Sequence, residues 1–129
     1  MARSYRELLV WQKARKLAVQ IYKATEKFPK SETYELTTSQ VRRAVVPVAS
    51  NIAEGQGRLT SGEFQHFLGL ARGSLLEAET QLTIALDLGF LDAEAYEALE
   101  GQSYQVLGLI DRLLTALRQK GTRTQERRA

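Results

Sequence analysis

Glu63 and His66 stand three residues apart in the run Glu63-Phe64-Gln65-His66, which puts a carboxylate and an imidazole on one helix face, a turn apart. In helical bundles such a pair is part of a dinuclear metal site, which needs a second copy of the motif and two further carboxylates. His66 is the only histidine in the chain, so one subunit cannot complete that set and no metal site is expected. There is no cysteine, and His66 is the one imidazole available to activate a serine, so nucleophilic catalysis has no machinery. Gly55-Gln56-Gly57-Arg58 lacks the lysine spacing of a phosphate-cradling loop and reads as a helix end and a turn. Glu77 and Glu79 are two apart and point to different helix faces. The chain is expected to be no enzyme and to carry no cofactor.

A second polar group lies in Ser50-Asn51-Ile52-Ala53-Glu54-Gly55. Asn51 and Glu54 share a helix face and follow the apolar run Ala44-Val45-Val46-Pro47-Val48-Ala49. Polar groups on a buried helix are costly unless paired, so partners are predicted for both. If the second and third helices fold back about Arg58-Leu59, Arg43 comes to lie near Ser74 and Glu77, and Asn51 near His66. Arg43, Asn51, Glu54, Ser74 and Glu77 are therefore expected to form a structural polar core with an Arg43–Glu77 ion pair. The alternative is that they line a binding pocket.

Four helices must position these residues. The first is predicted over Tyr5–Lys27, with Leu8, Trp11, Ala14, Ala18 and Ile21 on one stripe and Leu17 beside it. Phe28-Pro29 ends it, because the residue before a proline is pushed out of the helical region. The second carries Val41, Val45, Val48 and Ile52 at helical spacing, with a cap available from Thr37 and Gln40. Its β-branched residues favour a strand, and Pro47 is expected to kink any helix there. A helix is preferred, since a lone strand among long helices would have no partner.

The third helix has the most regular pattern: Phe64, Leu68, Ala71, Leu75, Ala78, Leu82 and Ala85, opened by Thr60 with Glu63 and closed by Gly89. The fourth follows Asp92 with Tyr96, Leu99, Ser103, Val106, Ile110, Leu113 and Leu117 on its stripe. The short link from Gly89 to Asp92 makes these two helices antiparallel neighbours. Gly69 and Gly73 interrupt the third helix at a cost of about 1 kcal/mol each, which predicts a close helix or subunit contact there. The expected architecture is all-α: an antiparallel up-and-down four-helix bundle over residues 1–117 and a basic disordered tail over 118–129.

The 129 residues suit one domain, and no apolar run approaches the roughly 20 residues that span a bilayer. Without cysteines or a signal-peptide core, cytoplasmic residence is expected. A net charge of +3 hides strong segregation. Residues 1–30 carry +6, residues 73–117 carry −7 and residues 118–129 carry +4. Opposite faces packing beside each other would explain this pattern, and so would a basic surface for phosphate-bearing partners.

These residues also carry a resemblance. Phe28-Pro29, Glu35-x4-Gln40-x2-Arg43-Ala44 and Asn51-Ile52-Ala53-Glu54-Gly55 resemble the signature of bacterial four-helix-bundle proteins encoded within intervening sequences of large-subunit ribosomal RNA genes. Val10-Trp11-Gln12-x-Ala14 and Ala71-x-Gly73-Ser74-x2-Glu77 match two further blocks of that pattern. Where such proteins commonly read Ser-Ile-Pro-Ser-Asn, this chain has Pro47-Val48-Ala49-Ser50-Asn51, which moves the proline two residues upstream. The resemblance implies a four-helix bundle assembled as a homopentamer. It also implies kinship to the accessory protein of diversity-generating retroelements, a basic barrel that binds nucleic acid and a reverse transcriptase.

Two functions follow as expectations. The first is a nucleic-acid-binding or ribonucleoprotein accessory factor. It would contact phosphates through Lys13, Arg15, Lys16, Lys23 and Lys27 on the first helix and Arg118, Lys120, Arg123, Arg127 and Arg128 in the tail. The second is a scaffold that recruits a protein such as a reverse transcriptase through the acidic fourth helix, without binding RNA or DNA itself.

Overall fold

The computed structural model describes residues 4–33 and 36–128, and their side chains except at 36, 37 and 121–128. Helices α1 (Leu9–Thr25), α2 (Leu36–Gln56), α3 (Ser61–Asp87) and α4 (Ala93–Arg128) form a bundle, with no strand among the described residues. Each helix packs on its chain neighbours and α4 closes the ring against α1. Glu35, the Thr37 cap and the side chains of Arg123, Arg127 and Arg128 lie outside the described residues. The helical assignment of α4 continues to Arg128, through the segment expected to be a disordered tail.

Local chemistry accounts for the helix ends. The Thr60 hydroxyl accepts from the Glu63 amide at 3.2 Å and opens α3, as its sequence predicts. Gly89 closes α3 at φ +78°. Its amide donates to the Leu86 carbonyl, and the Phe90 amide reaches back to Ala85, which satisfies two orphaned carbonyls. The Asp92 carboxylate then accepts from the Ala95 amide at 2.8 Å and opens α4. The first helix departs from expectation: a 3-10 turn at Tyr5–Glu7 precedes Leu8, which is extended (ψ 124°), and α1 proper starts at Leu9.

The core is a continuous apolar seam. Val41, Val45, Val48 and Ile52 of α2 are all buried, and α2 is helical through Pro47, so the side with β-branched residues packs inward rather than extending into a strand. In α3 the predicted stripe from Leu68 to Ala85 is buried in full, while Phe64 is half-buried. In α4 Leu99, Ser103, Val106, Ile110 and Leu114 are buried, so the seam steps from the predicted Leu113 to its neighbour. In α1 the buried stripe is Val10, Ala14, Leu17 and Ile21, rotated from the predicted one, and Trp11 and Ala18 sit at its margin.

Within the chain the close helix contact is at Gly55, not at Gly69 and Gly73. A Cβ on Gly55 would lie 2.7 Å from Phe67 Cβ, whereas one on Gly69 or Gly73 would meet nothing within 4 Å. Gly55 against Phe67 and Gln40 against Gln81 set the register of the α2–α3 hairpin.

Candidate nucleic-acid interface

Hydrogen bonds across α3 and α4 fix their antiparallel register: Thr83 with Tyr96, Glu79 with Ser103, Arg72 with Asp111, and Ser61 with the Leu117 carbonyl. The last pair places Arg118 and Lys120, both exposed, at the end of the bundle where α3 begins. The groove between α1 and α4 runs from Lys27 beside Ala95 to Lys13 beside Gln105, so these two helices are antiparallel as well. The amino-terminal half of α1, the α2–α3 turn with Arg58 and the Arg118–Lys120 segment therefore share one end. The charge segregation seen in sequence becomes largely a difference between the two ends of the bundle.

Of the five cations predicted on α1, the fold brings three together. Lys13, Arg15 and Lys16 line one groove with Gln20, Gln102 and Gln105. Lys23 and Lys27 line a different one, against Ala95 and Ala98 on the turns of α4 that also carry Glu94 and Glu97. On its other side Arg15 borders a wider groove of about 690 Å³ between α1 and α2, walled by Tyr5, Trp11, Tyr22 and Val46. The Arg15 guanidinium lies 5.2 Å over the Trp11 ring, and Tyr5 meets the same indole edge-on at 5.1 Å. Periodicity assigns Trp11 to the core stripe and is silent on Tyr5 and Tyr22; the signal for the groove is Trp11 and Tyr22 interleaved with the cations of α1, with Tyr5 in the turn before it.

The predicted polar core does not form within the chain. Arg43, Glu54 and Glu77 are exposed, Asn51 and Ser74 half-buried. Asn51 Nδ2 donates to its own helix at the Pro47 carbonyl (2.9 Å), and Glu54 pairs with Arg58 a turn away at 2.8 Å. The ion pair joining α3 to α4 is Arg72–Asp111 at 2.8 Å; the Asp111 hydrogen bond and charge hold the Arg72 guanidinium above its ordinary pKa. The arginine that matters on α2 is Arg42, which donates to Thr25 Oγ1 (2.8 Å) and to the Tyr22 carbonyl (3.2 Å). The α2 stripe is buried as its spacing predicts, but spacing does not say which flanking arginine meets which neighbour: Arg42 lies against α1, and Arg43 stays exposed rather than reaching Glu77 on α3.

A polar cleft of about 240 Å³ lies between α3 and α4, where the buried Ser103 hydroxyl donates to Glu79 beside Glu100, Tyr96 and Tyr104. The Thr83 hydroxyl bond pulls the Tyr96 phenol down, but Glu100 and partial burial outweigh it and leave the group above its ordinary pKa. His66 is exposed and stacks edge-on against Phe67 at 5.5 Å. Among the described residues no helix is long and apolar enough to cross a membrane.

Fold and surface together define a four-helix-bundle protein with a cationic, aromatic-bordered groove. The profile of the 23S rRNA-intervening sequence protein family matches residues 6–112, and the chain belongs to that family. Its fold is also that of a protein of unknown function from the S23 ribosomal protein family of Bacteroides thetaiotaomicron, at TM-score 0.72 and 23% identity over 82% of this chain and 98% of that one. No curated protein matches the chain.

Proposed function

We propose that this protein is a non-catalytic, oligomeric accessory factor that binds RNA or DNA through the basic end of its bundle. The observation that carries this reading is the convergence of Lys13, Arg15 and Lys16 on one groove whose opposite wall offers neutral amides rather than carboxylates. Cations with room for a backbone between them and uncharged donors opposite suit phosphate contacts without base readout. Arg118 and Lys120 extend the cationic surface at the same end. Assembly into a ring, a pentamer by the family resemblance, would multiply that surface and raise avidity.

Titrating labelled structured RNA and duplex DNA at several salt concentrations tests this. Affinity should fall steeply with salt, and Lys13→Gln with Lys16→Gln should lower the logarithmic slope by about two. Absence of binding at low salt would defeat the reading. The alternative is a scaffold that recruits a protein such as a reverse transcriptase without touching nucleic acid. It draws on the Glu79–Glu100 cleft, which would receive a cationic side chain of that partner.

A further inference from the structure

We infer that the groove between α1 and α2 receives unpaired nucleobases, so that the ligand of this surface is single-stranded nucleic acid rather than a duplex. This rests on the nucleic-acid reading above and adds to it which form of strand is bound and by what contact. A strip of cations alone would take either form. What separates the two is the wall next to that strip. Arg15 and Val19 border both the cationic groove and the apolar one, so a strand whose phosphates lie on Lys13 and Lys16 has the indole of Trp11 within reach of its bases. A duplex keeps its bases stacked inside and has no use for such a wall, whereas an unpaired base gains from any aromatic face.

The groove is shaped for flat rings. Its floor is made of small side chains, Ala18 from α1 and Ala49 and Ala53 from α2, and its walls are rings and branched chains. Val19, Tyr22 and Val46 remain 47%, 39% and 44% exposed, so apolar surface is left uncovered along its length. Trp11 and Tyr22 are eleven residues apart, about 16 Å along the helix, a span of a few nucleotides. The Arg15 guanidinium, 5.2 Å from the Trp11 ring centre, sets a cation beside an aromatic ring, and a base gains from contact with either. Charge agrees with the anionic occupant: Arg15 and Lys23 stand on the rim against the single carboxylate of Glu26.

Trp11 is the only tryptophan, so its fluorescence reports this groove and the cationic flank that Trp11 shares with Arg6, Gln12 and Lys16, and the abasic strand separates the two. The experiment titrates full-length protein with an oligouridylate, an abasic strand of equal length and a duplex of equal length, reading indole quenching and anisotropy together. The oligouridylate should quench Trp11 and bind roughly tenfold or more tighter than the abasic strand, which should leave the indole unquenched. Trp11→Leu should lose that advantage with an unchanged salt slope, and Trp11→Phe should keep most of it. Should Trp11→Leu fail to fold, the neutral Val46→Gln, at an exposed wall position away from the cationic groove, carries the same test. Equal binding of all three polymers without quenching would overturn this inference and leave the nucleic-acid reading standing. No binding of any of them would overturn both. A change in sedimentation mass for Trp11→Leu, with affinity unchanged, would assign the groove to a contact between copies and overturn the inference as well.

Discussion

The guanidinium of Arg42 in α2 lies 4.6 Å over the ring of Tyr22 near the end of α1, and its nitrogens reach the Tyr22 carbonyl and the Thr25 hydroxyl. One side chain thus joins the Glu26 amide and the Thr25 hydroxyl on the Tyr22 carbonyl and ties α1 to α2. Arg42→Ala should lower unfolding stability by about 1–3 kcal/mol. Arg42→Lys should recover only part, because an ammonium cannot fork and stack together. Arg43→Ala, at an exposed position, should stay within about 0.5 kcal/mol. Urea midpoints of the three variants decide the matter, and a larger loss at Arg43 would refute the assignment.

Gly55 touches the α3 backbone region so closely that any side chain must displace Phe67 or Phe64. Gly55→Ala should therefore cost about 1–3 kcal/mol through overpacking. Gly69→Ala and Gly73→Ala, in open space on an exposed helix surface, should each gain about 0.5–1 kcal/mol. Thermal melts in parallel would reverse the placement of the close contact if the signs came out opposite.

Gln81 is buried in the α2–α3 seam, its amide donating weakly to Gln40 at 3.4 Å while Oε1 has no hydrogen-bond partner among the described residues. A buried unpaired acceptor carries a desolvation cost of about 1–3 kcal/mol, so Gln81→Leu should raise stability. A loss of stability in this variant would mean that Oε1 is satisfied in solution.

Tyr96 gives a pH signature. Its folded pKa lies above the ordinary value of 10.0, so folding favours the protonated phenol. That contribution is complete below pH 10.0 and is lost as pH rises through the folded pKa. Wild type should thus lose stability on the alkaline side more steeply than Tyr96→Phe, measured by urea unfolding across that range. Parallel pH profiles would show that the Glu100 carboxylate does not act on the phenol.

Much of the fold can be read from local residues. The α3 stripe, the Thr60 cap, the Gly89 terminator and the start of α4 after Asp92 are all found where their types and spacing put them. The proline-bearing α2 is a helix because Val41, Val45, Val48 and Ile52 have a core to enter, which outweighs their strand preference. The site was less readable. Lys13, Arg15 and Lys16 were visible as cations, but so were Lys23 and Lys27, and only the pairing of α1 with α4 separates them.

By itself the sequence determined the class of fold, both ends of the third helix, the start of the fourth and the two signs of charge, since these follow from periodicity, capping atoms and composition, which act over a few residues. The tertiary structure alone decided the rotation of α1 and which flanking residues of each helix meet a neighbour. It put Arg42 rather than Arg43 against α1, brought Gly55 rather than Gly69 into contact within the chain, and turned Trp11 toward a groove beside Arg15. A repeat of apolar residues sets their spacing but permits neighbouring rotations of nearly equal burial. The choice among them falls to contacts between residues far apart in the chain, where side-chain volumes must fit.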